Sequence, residues 1–237
     1  YPDNGNYSLN FNGNDDYVLI DYNSGKITNE ISIMAWVDNN SIGNHNIIYN
    51  GCCGTEATWY WMLRVTDQDC DNCMKPQALV KTDVSYNAHI NPDGQDGLIN
   101  VNAGWNHVAM TYSNNIMKLF IDGNLIKNAS IEGDILMEGE DLIIGGWIQG
   151  DGDYQGSHSG GLDDVAVFSD ALSESDILNY MNNSLTGNEE GLVGFWNFNS
   201  GQGDILYDHT GNQNHGTIVG ATWEEVSTGC MDPLALN

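Results

Sequence analysis

The chain has 237 residues and carries 33 acidic but only 6 basic residues, which gives a formal net charge of −27 at pH 7. Such a surface repels nucleic acid and anionic membranes, so direct binding to either is not expected. No apolar run approaches the roughly 20 residues needed to cross a bilayer, so no membrane insertion is expected either.

The first third of the chain predicts short strands joined by tight turns. Two apolar runs in Tyr7–Ile20 (YSLNFNGNDDYVLI) flank the turn NGNDD, and ISIMAWV at Ile31–Val37 alternates its side chains with a period of two. The stretch 83–100 is polar and contains PDG and DG, so it predicts turns. Further short strands are predicted at Ile47–Tyr49, Trp59–Val65 and Ala78–Lys81.

A hairpin is predicted at Trp105–Gly123, with the sequence WNHVAMTYSNNIMKLFIDG. Its two alternating runs meet at the polar turn SNN, and the second run ends at the turn signal DG. Both faces of the hairpin carry large apolar side chains, which favours a central position in a two-layer sandwich over a solvated edge. The hairpin therefore indicates the fold, and no function of its own is expected from it.

The last third predicts more strands and one helix. Leu172–Asn182 is the helical segment, with Ser173 as N-cap and Asp176 three residues later. All these patterns together predict an all-β fold, a two-sheet antiparallel sandwich with one short helix near 173–182. The strands of this part are predicted at Leu142–Gly146, Leu162–Phe168, Leu192–Phe198 and within Tyr207–Val219.

Four of the five cysteines cluster, namely Cys52, Cys53, Cys70 and Cys73, whereas Cys230 stands alone near the end. We interpret the four as two disulfides, which implies an oxidising, extracytoplasmic setting. Two kinds of pairing remain open. Either Cys52 and Cys53 are bridged to Cys70 and Cys73, or Cys52 is bonded to Cys53 and Cys70 to Cys73. A tetrathiolate zinc site is less favoured, because adjacent cysteines are awkward joint ligands for a tetrahedral ion.

Six segments of the chain carry a family resemblance. They are SLNFNGNDDYV (8–18), ISIMAWV (31–37), WNHVAMTY (105–112), KLFIDGNLI (118–126), LIIGG (142–146) and GLDDVAVFSDALSESDI (161–177). In this order they resemble the laminin G-like and pentraxin-like jelly rolls of the concanavalin A-like lectin/glucanase superfamily. The resemblance runs from Tyr7 to about Trp223 and implies a jelly-roll sandwich.

The resemblance also implies domain limits. Segment 190–223 resembles family sequence that completes the sheets beside the first strands, the alternative being the start of a second copy. One laminin G-like domain is therefore expected over 1–225. Residues 226–237 are expected to be a linker and the start of a short Cys-containing repeat of secreted bacterial proteins, because TGCMDPLALN resembles GC-x-DP-x-A-x-N. A secreted or cell-surface protein is the expected setting.

A calcium ion is the cofactor that the resemblance implies, since relatives often bind one with two corresponding motifs. Calcium takes 6–8 oxygen ligands, and a tight turn beside the start of a strand can supply carboxylate and carbonyl oxygens. The alternative is that the turn carboxylates only accept hydrogen bonds from backbone N–H groups, as in Asx turns. The predicted ligands are Asn12, Asp15, Asp16, Asp163 and Asp164.

A glycan, such as a cell-surface polysaccharide, is the expected ligand, because the fold group contains lectins. Sugar binding needs an aromatic face for the pyranose ring and polar groups for its hydroxyls. Trp59 and Trp61 are expected to share one face of a strand, and the loop WIQGDGDYQGSHSGG resembles in part the ligand-binding loop of pentraxins. The predicted ligand-binding residues are Trp59, Trp61, Trp147, Asp151, Asp153, Tyr154 and His158.

A catalytic function is not expected, although laminarinase-type glycosidases share the fold. These enzymes use Glu-x-Asp-x-Glu or Glu-x-Asp-x-x-Glu, and the gap between Asp134 and Glu138 is one residue too long. The sequence therefore predicts a non-catalytic, calcium-stabilised binding or adhesion module. The alternatives are a structural spacer or protein–protein interaction domain and, third, a glycosidase.

Overall fold

The computed structural model describes residues 1–22, 27, 29–52, 58–67, 73–85, 88–93, 97–99, 102–136, 141–148 and 153–226. Within these ranges the elements are β1 (Tyr7–Asn12), β2 (Tyr17–Asp21), β3 (Ile31–Asn39), β4 (Asn44–Cys52), β5 (Thr58–Thr66), β6 (Lys75–Val80), β7 (Ala88–Ile90), β8 (Asn106–Ser113), β9 (Ile116–Ile121), β10 (Asn124–Ser130), β11 (Asp141–Ile144), β12 (Gly146–Ile148), β13 (Tyr154–Gly156), β14 (Ser159–Phe168), α1 (Glu174–Asn182), β15 (Leu192–Trp196), β16 (Ile205–Leu206), β17 (Gly216–Val219) and β18 (Thr222–Glu225).

Two antiparallel sheets form a sandwich. The first sheet has the strand order β10-β9-β8-β3-β14-β1-β18, and β15 pairs with β14 beside β1. The second sheet has the order β16-β17-β2-β11-β4-β5-β6-β7, and β12 and β13 form a separate two-stranded hairpin. The all-β antiparallel sandwich that the sequence predicts is therefore confirmed.

The predicted hairpin is formed by β8 and β9 and lies inside the first sheet. Asn114 and Asn115 at its turn have positive φ angles of 48° and 62°, which the two-residue turns of hairpins require. Strand β8 pairs with β9 on one side and β3 on the other, and its residues from 107 to 112 are buried. Burial on both faces explains why both faces of this strand are apolar.

Apolar side chains form three layers rather than one. The main core fills the space between the two sheets and includes Trp61 and Trp196. A second cluster lies on the outer face of the first sheet, where Ile177 of α1 packs against Phe168 and its neighbours. A third cluster, on the outer face of the second sheet, joins Tyr49, Met62, Leu79 and Ile143 to the β12–β13 hairpin. Helix and hairpin thus each cover part of an otherwise solvated face.

Helix α1 begins at the predicted N-cap. The Ser173 hydroxyl accepts a hydrogen bond from the backbone N–H of Asp176, and the Asp176 carboxylate accepts one from the backbone N–H of Ser173. This reciprocal capping box satisfies two N–H groups that the first turn would otherwise leave unpaired. Among the described residues no helix is long and apolar enough to cross a membrane.

The C-terminal strands return to the first strands of the chain. Strand β18 pairs with β1, with Glu225 opposite Tyr7, and β17 pairs with β2, with Ile218 opposite Val18. The predicted completion of both sheets by this segment is therefore observed. Residues 227–237, with Cys230 and the predicted repeat, lie outside the described residues, so the domain limit at 225 stays a prediction.

Cys73 is disulfide-bonded, and its partner lies outside the described residues. Cys53, Cys70 and the side chain of Cys52 lie outside them as well. The predicted pairing of the four clustered cysteines therefore stays a prediction.

Candidate ligand-binding groove

A groove of about 570 Å³ lies on the outer face of the second sheet. The β12–β13 hairpin packs over β2 and β11, where Ile148 joins the cluster around Ile143. The neighbouring strands β4 to β7 are left open, and the groove runs over them. Its lining residues are Asn44, Asn46, Tyr49, Trp59, Met62, Arg64, Gln77, Leu79, His89, Trp147 and Ser157.

Strand register places two rows of side chains across the groove. Residues directly opposite each other in antiparallel strands project from the same face of a sheet. The first row runs through Tyr49, Met62, Leu79 and His89. Its first three residues are buried and form the largely apolar floor of the groove. Sequence alternation alone cannot identify such rows, because they depend on which residues of four strands are paired.

The polar row runs beside the floor and consists of Asn46, Arg64 and Gln77. The Arg64 Nε–H donates a 2.6 Å hydrogen bond to Gln77 Oε1. Asn46 is only 7% exposed, and its side-chain oxygen has no hydrogen-bond partner among the described residues. This oxygen is itself buried, so it lies below the surface of the groove.

Trp147 forms one wall of the groove and is 37% exposed. Its hairpin is held in place from the other side, where Tyr154 stacks on Tyr17 with ring centroids 5.5 Å apart. The Tyr154 hydroxyl also donates a 3.1 Å hydrogen bond to the Asp141 carboxylate. Tyr154, predicted to contact ligand, is thus a packing residue behind the wall and does not line the groove.

Trp59 lines the groove, but Trp61 does not. The pairing of β4 with β5 shifts by one residue, so that Trp61 is opposite Asn50, Trp59 is opposite Gly51, and Tyr60 between them has no counterpart. Beyond a β-bulge of this kind, each side chain projects from the sheet face opposite to the one that regular alternation would give it. Trp61 therefore points into the core with 0% exposure, and we remove it from the predicted ligand-binding set as a correction.

His158 is also removed from that set. It is 0% exposed, lies between the rings of Phe11 and His45, and its Nε2 is 3.2 Å from the Gly161 carbonyl oxygen. Burial lowers the pKa of His158 to about 3, so the ring is neutral at physiological pH. Asp153 is exposed, and Asp151 lies outside the described residues.

The predicted calcium turn is closed by its own hydrogen bonds. The Asn12 side-chain amide donates to Asp15 Oδ1 at 2.7 Å and to Asp16 Oδ1 at 3.0 Å, and its oxygen accepts from the backbone N–H of Asn14. The turn also abuts the hairpin, since a Cβ on Gly156 would lie 2.5 Å from the Asp16 carbonyl oxygen. This is the Asx-turn arrangement that the sequence left open as the alternative.

The second predicted calcium motif, Asp163 and Asp164, lies farther along β14, away from the turn that follows β1. Strands β1 and β14 pair with Asn12 opposite Ser159 and Leu9 opposite Leu162. Asp163 is four residues beyond Ser159, which places its backbone roughly 13 Å from the level of Asn12. The five predicted ligands therefore do not form one site, which corrects the prediction that the turn and the strand start meet.

Asp163 and Asp164 lie at a bulge where β14 changes its neighbour from β1 to β15. Asp164 has a φ of 47°, in the left-handed region, where glycine, asparagine and aspartate are enriched. Burial raises the pKa of Asp163 and raises that of Asp164 to about 7. Among the described residues no group of three or more His, Cys, Asp or Glu side chains could hold a metal ion.

Several lining residues were missed by reasoning from sequence, namely Asn44, Asn46, Arg64, Gln77 and His89. A signal was available on β5 and β6, where Arg64 and Gln77 occupy polar positions that alternate with apolar ones, but not on β4, which begins with three consecutive polar residues. Such positions mark an outer sheet face, but they indicate a common site only once the pairing of the strands is known.

Comparison with known proteins agrees with this fold. No curated protein sequence matches the chain. Among solved structures, it is similar to a candidate carbohydrate-binding protein from Bacteroides ovatus, with 17% identity, a TM-score of 0.73, 94% of this chain covered and 61% of that one. This chain thus spans less than two thirds of that protein.

Two further structures show the same fold. A heptameric SAP-like pentraxin from Limulus polyphemus has 16% identity, a TM-score of 0.58 and coverage of 81% of this chain and 93% of that one. The CBM40 of Ruminococcus gnavus IT-sialidase, bound to α2,3-sialyllactose, has 16% identity, a TM-score of 0.53 and coverage of 73% and 95%. In sequence, a laminin G family profile matches residues 12–178. The chain therefore belongs to the laminin G-like family of the concanavalin A-like lectin/glucanases superfamily.

Proposed function

We propose that the protein is a non-catalytic carbohydrate-binding module and that the groove over β4 to β7 holds the glycan. One observation carries this proposal: the indoles of Trp59 and Trp147 border a groove that is also lined by the amides of Asn44, Asn46 and Gln77. Aromatic faces pack against the apolar face of a pyranose ring, and amides exchange hydrogen bonds with its hydroxyls. A volume of about 570 Å³ falls within the usual range of ligand pockets.

The similar structures support the same ligand class. The Bacteroides protein is described as a candidate carbohydrate-binding protein, and the Ruminococcus domain holds a sialylated trisaccharide. At 16–17% identity these likenesses establish the fold alone, so carbohydrate binding by this chain rests on the residues of its groove.

The absence of catalysis is part of the proposal. Retaining and inverting glycosidases use two carboxyl groups that flank the bond they cleave. The described lining of the groove contains no Asp or Glu side chain. Glu132 and Asp134 of the glycosidase-like motif are not among the lining residues, and Glu138 lies outside the described residues.

A secreted or cell-surface location, with a cell-surface polysaccharide as partner, belongs to the same proposal. It is supported by the disulfide at Cys73, since disulfides persist in oxidising compartments. Calcium forms no part of this proposal, because the predicted ligands do not come together, and the calcium requirement stays a prediction of the sequence.

We expect the protein to bind on an array of neutral and acidic oligosaccharides, and Trp59→Ala and Trp147→Ala each to weaken the best ligand at least about tenfold. The physical reason is the loss of the stacking face, and tenfold corresponds to about 1.4 kcal/mol. Isothermal titration calorimetry of the purified variants with that ligand measures the change.

The matched control is Trp105→Ala, which removes a half-buried indole that packs against Gly161 of the first sheet. This variant should keep the affinity of the unmodified protein. The proposal fails if no oligosaccharide binds, or if the best ligand binds both groove variants as tightly as the unmodified protein. Release of reducing ends from the bound oligosaccharide would contradict the non-catalytic assignment. The spacer alternative predicts no binding at all.

A further inference from the structure

Arg64 is the only arginine in a chain of 33 acidic and 6 basic residues, and it lies in the groove. Its side chain is half-buried, and burial lowers the pKa of its guanidinium. It stays charged at physiological pH, because a guanidinium keeps its proton in proteins. A buried cation usually requires a partner of opposite charge, since desolvation is costly.

The hydrogen-bond partner of Arg64 among the described residues is neutral. Its Nε–H bonds to the amide oxygen of Gln77, and within the described residues no ion pair includes Arg64. Other cations of the chain are matched differently. Lys118 is 4.0 Å from Glu174, Lys127 pairs with Asp93, and Lys81 lies over the Tyr60 ring. Arg64 is thus a half-buried cation that has no ion pair among the described residues.

No carboxylate is found beside Arg64 in the described lining of the groove. The described lining of the groove holds Arg64 and His89 but no Asp or Glu side chain. A guanidinium carries five donors in a planar fork. With Nε bonded to Gln77, the other N–H groups of Arg64 have no hydrogen-bond partner among the described residues. This fork matches the oxygens of a carboxylate or a sulfate ester, and such charge-assisted bonds are about twice as strong as neutral ones.

We propose that the groove binds a glycan that carries an isolated carboxylate or sulfate group, with Arg64 contacting that group. The inference rests on the proposed function and adds the chemical class of the sugar. The net charge of −27 argues against a densely charged polymer, because the field of the whole protein repels polyanions at long range. A sugar with a single anionic group avoids most of that repulsion and still satisfies Arg64.

Matched pairs of probes test this proposal. Each charged probe carries a single anionic group, and the pairs are 3′-sialyllactose and lactose, galacturonic acid and its methyl ester, and the singly sulfated disaccharide of κ-carrageenan before and after chemical desulfation. We expect the unmodified protein to bind the charged member of at least one pair at least tenfold more tightly. Carboxylate and sulfate are distinguished by the pair that shows the preference, as read by isothermal titration calorimetry.

Arg64→Gln should abolish the preference, by weakening the charged probe at least tenfold while the affinity for its neutral counterpart stays within about twofold. Arg64→Lys, which keeps the charge but not the fork, should retain part of the preference. The matched control is Lys118→Gln, which removes one positive charge from the first sheet and should leave both affinities unchanged. Binding of the neutral probe by Arg64→Gln shows that its groove is still folded.

The outcomes separate the two proposals. If neutral sugars bind in the groove and no pair shows a preference, the carbohydrate-binding function stands and the role of Arg64 is overturned. A preference that survives Arg64→Gln also overturns it. If no probe and no oligosaccharide on the array binds, both proposals fail.

Discussion

Replacing Asp164 by asparagine is expected to stabilise the protein by roughly 2–4 kcal/mol at pH 8 and to change its stability little at pH 4. Burial raises the pKa of Asp164 from 3.8 to about 7. The folded state therefore binds more protons than the unfolded state between these pH values, and the stability of the unmodified protein falls as pH rises through them. Asparagine mimics the protonated carboxyl group, adds no charge, and tolerates the positive φ of 47° at this position.

Urea denaturation of both proteins at pH 4, 6 and 8 measures this difference. Asp204→Asn, which changes an exposed aspartate, is the matched control and should have no comparable effect. The same measurement tests the calcium hypothesis. If calcium is bound by Asp164, the variant will be less stable than the unmodified protein in millimolar calcium, and the difference will vanish in EDTA. That result would contradict the interpretation of Asp164 as a half-buried carboxyl group that is costly to ionise.

Replacing His107 by leucine is expected to make the protein more resistant to acid, by roughly 3–5 kcal/mol at pH 3. His107 is 1% exposed, neither ring nitrogen has a hydrogen-bond partner among the described residues, and burial lowers its pKa from 6.5 to about 3. As pH falls from 6.5 to 3, the unfolded state takes up a proton that the folded state rejects. Stability is therefore lost over this range at about 1.4 kcal/mol per pH unit.

The environment of His107 explains why leucine should be accepted. The Trp36 indole lies edge-on to the ring at 5.3 Å, and the nearby Asp122 carboxylate accepts its hydrogen bond from the backbone N–H of His107 rather than from the ring. Leucine should therefore also remove the cost of two unpaired ring nitrogens, about 1–3 kcal/mol at pH 7. Urea denaturation across pH 3–7 measures both effects, and His89→Leu, at an exposed position, is the control. Equal loss of stability in acid by His107→Leu and the unmodified protein would refute the prediction.

Local patterns in the sequence predicted the elements of this fold because their causes are local. Alternation of apolar side chains in β3 and β8, the asparagines at the β8–β9 turn, and the Ser173–Asp176 capping box each act within a few residues. The family resemblance added the order of the strands and the return of β17 and β18 to the first strands. Local sequence patterns and the family resemblance were thus enough to predict the scaffold.

The candidate site was predicted only in part, because its residues come from strands that are distant in the sequence. Trp59 was predicted as part of a strand face and Trp147 as part of the predicted loop, and both line the groove. Arg64 was not singled out, since one arginine in a strand has no meaning until Asn46 and Gln77 are placed beside it.

What the sequence determined by itself was therefore the sandwich, its central hairpin, its helix and the strong negative charge, all of which follow from composition and short-range periodicity. Tertiary structure alone decided which residues meet. A one-residue bulge at Tyr60 sends Trp61 into the core while Trp59 lines the groove, and the register of β1 against β14 keeps Asp163 away from Asn12. The physical reason is that the facing of a strand reverses with each residue, so a shift of one position changes which side chains share a surface.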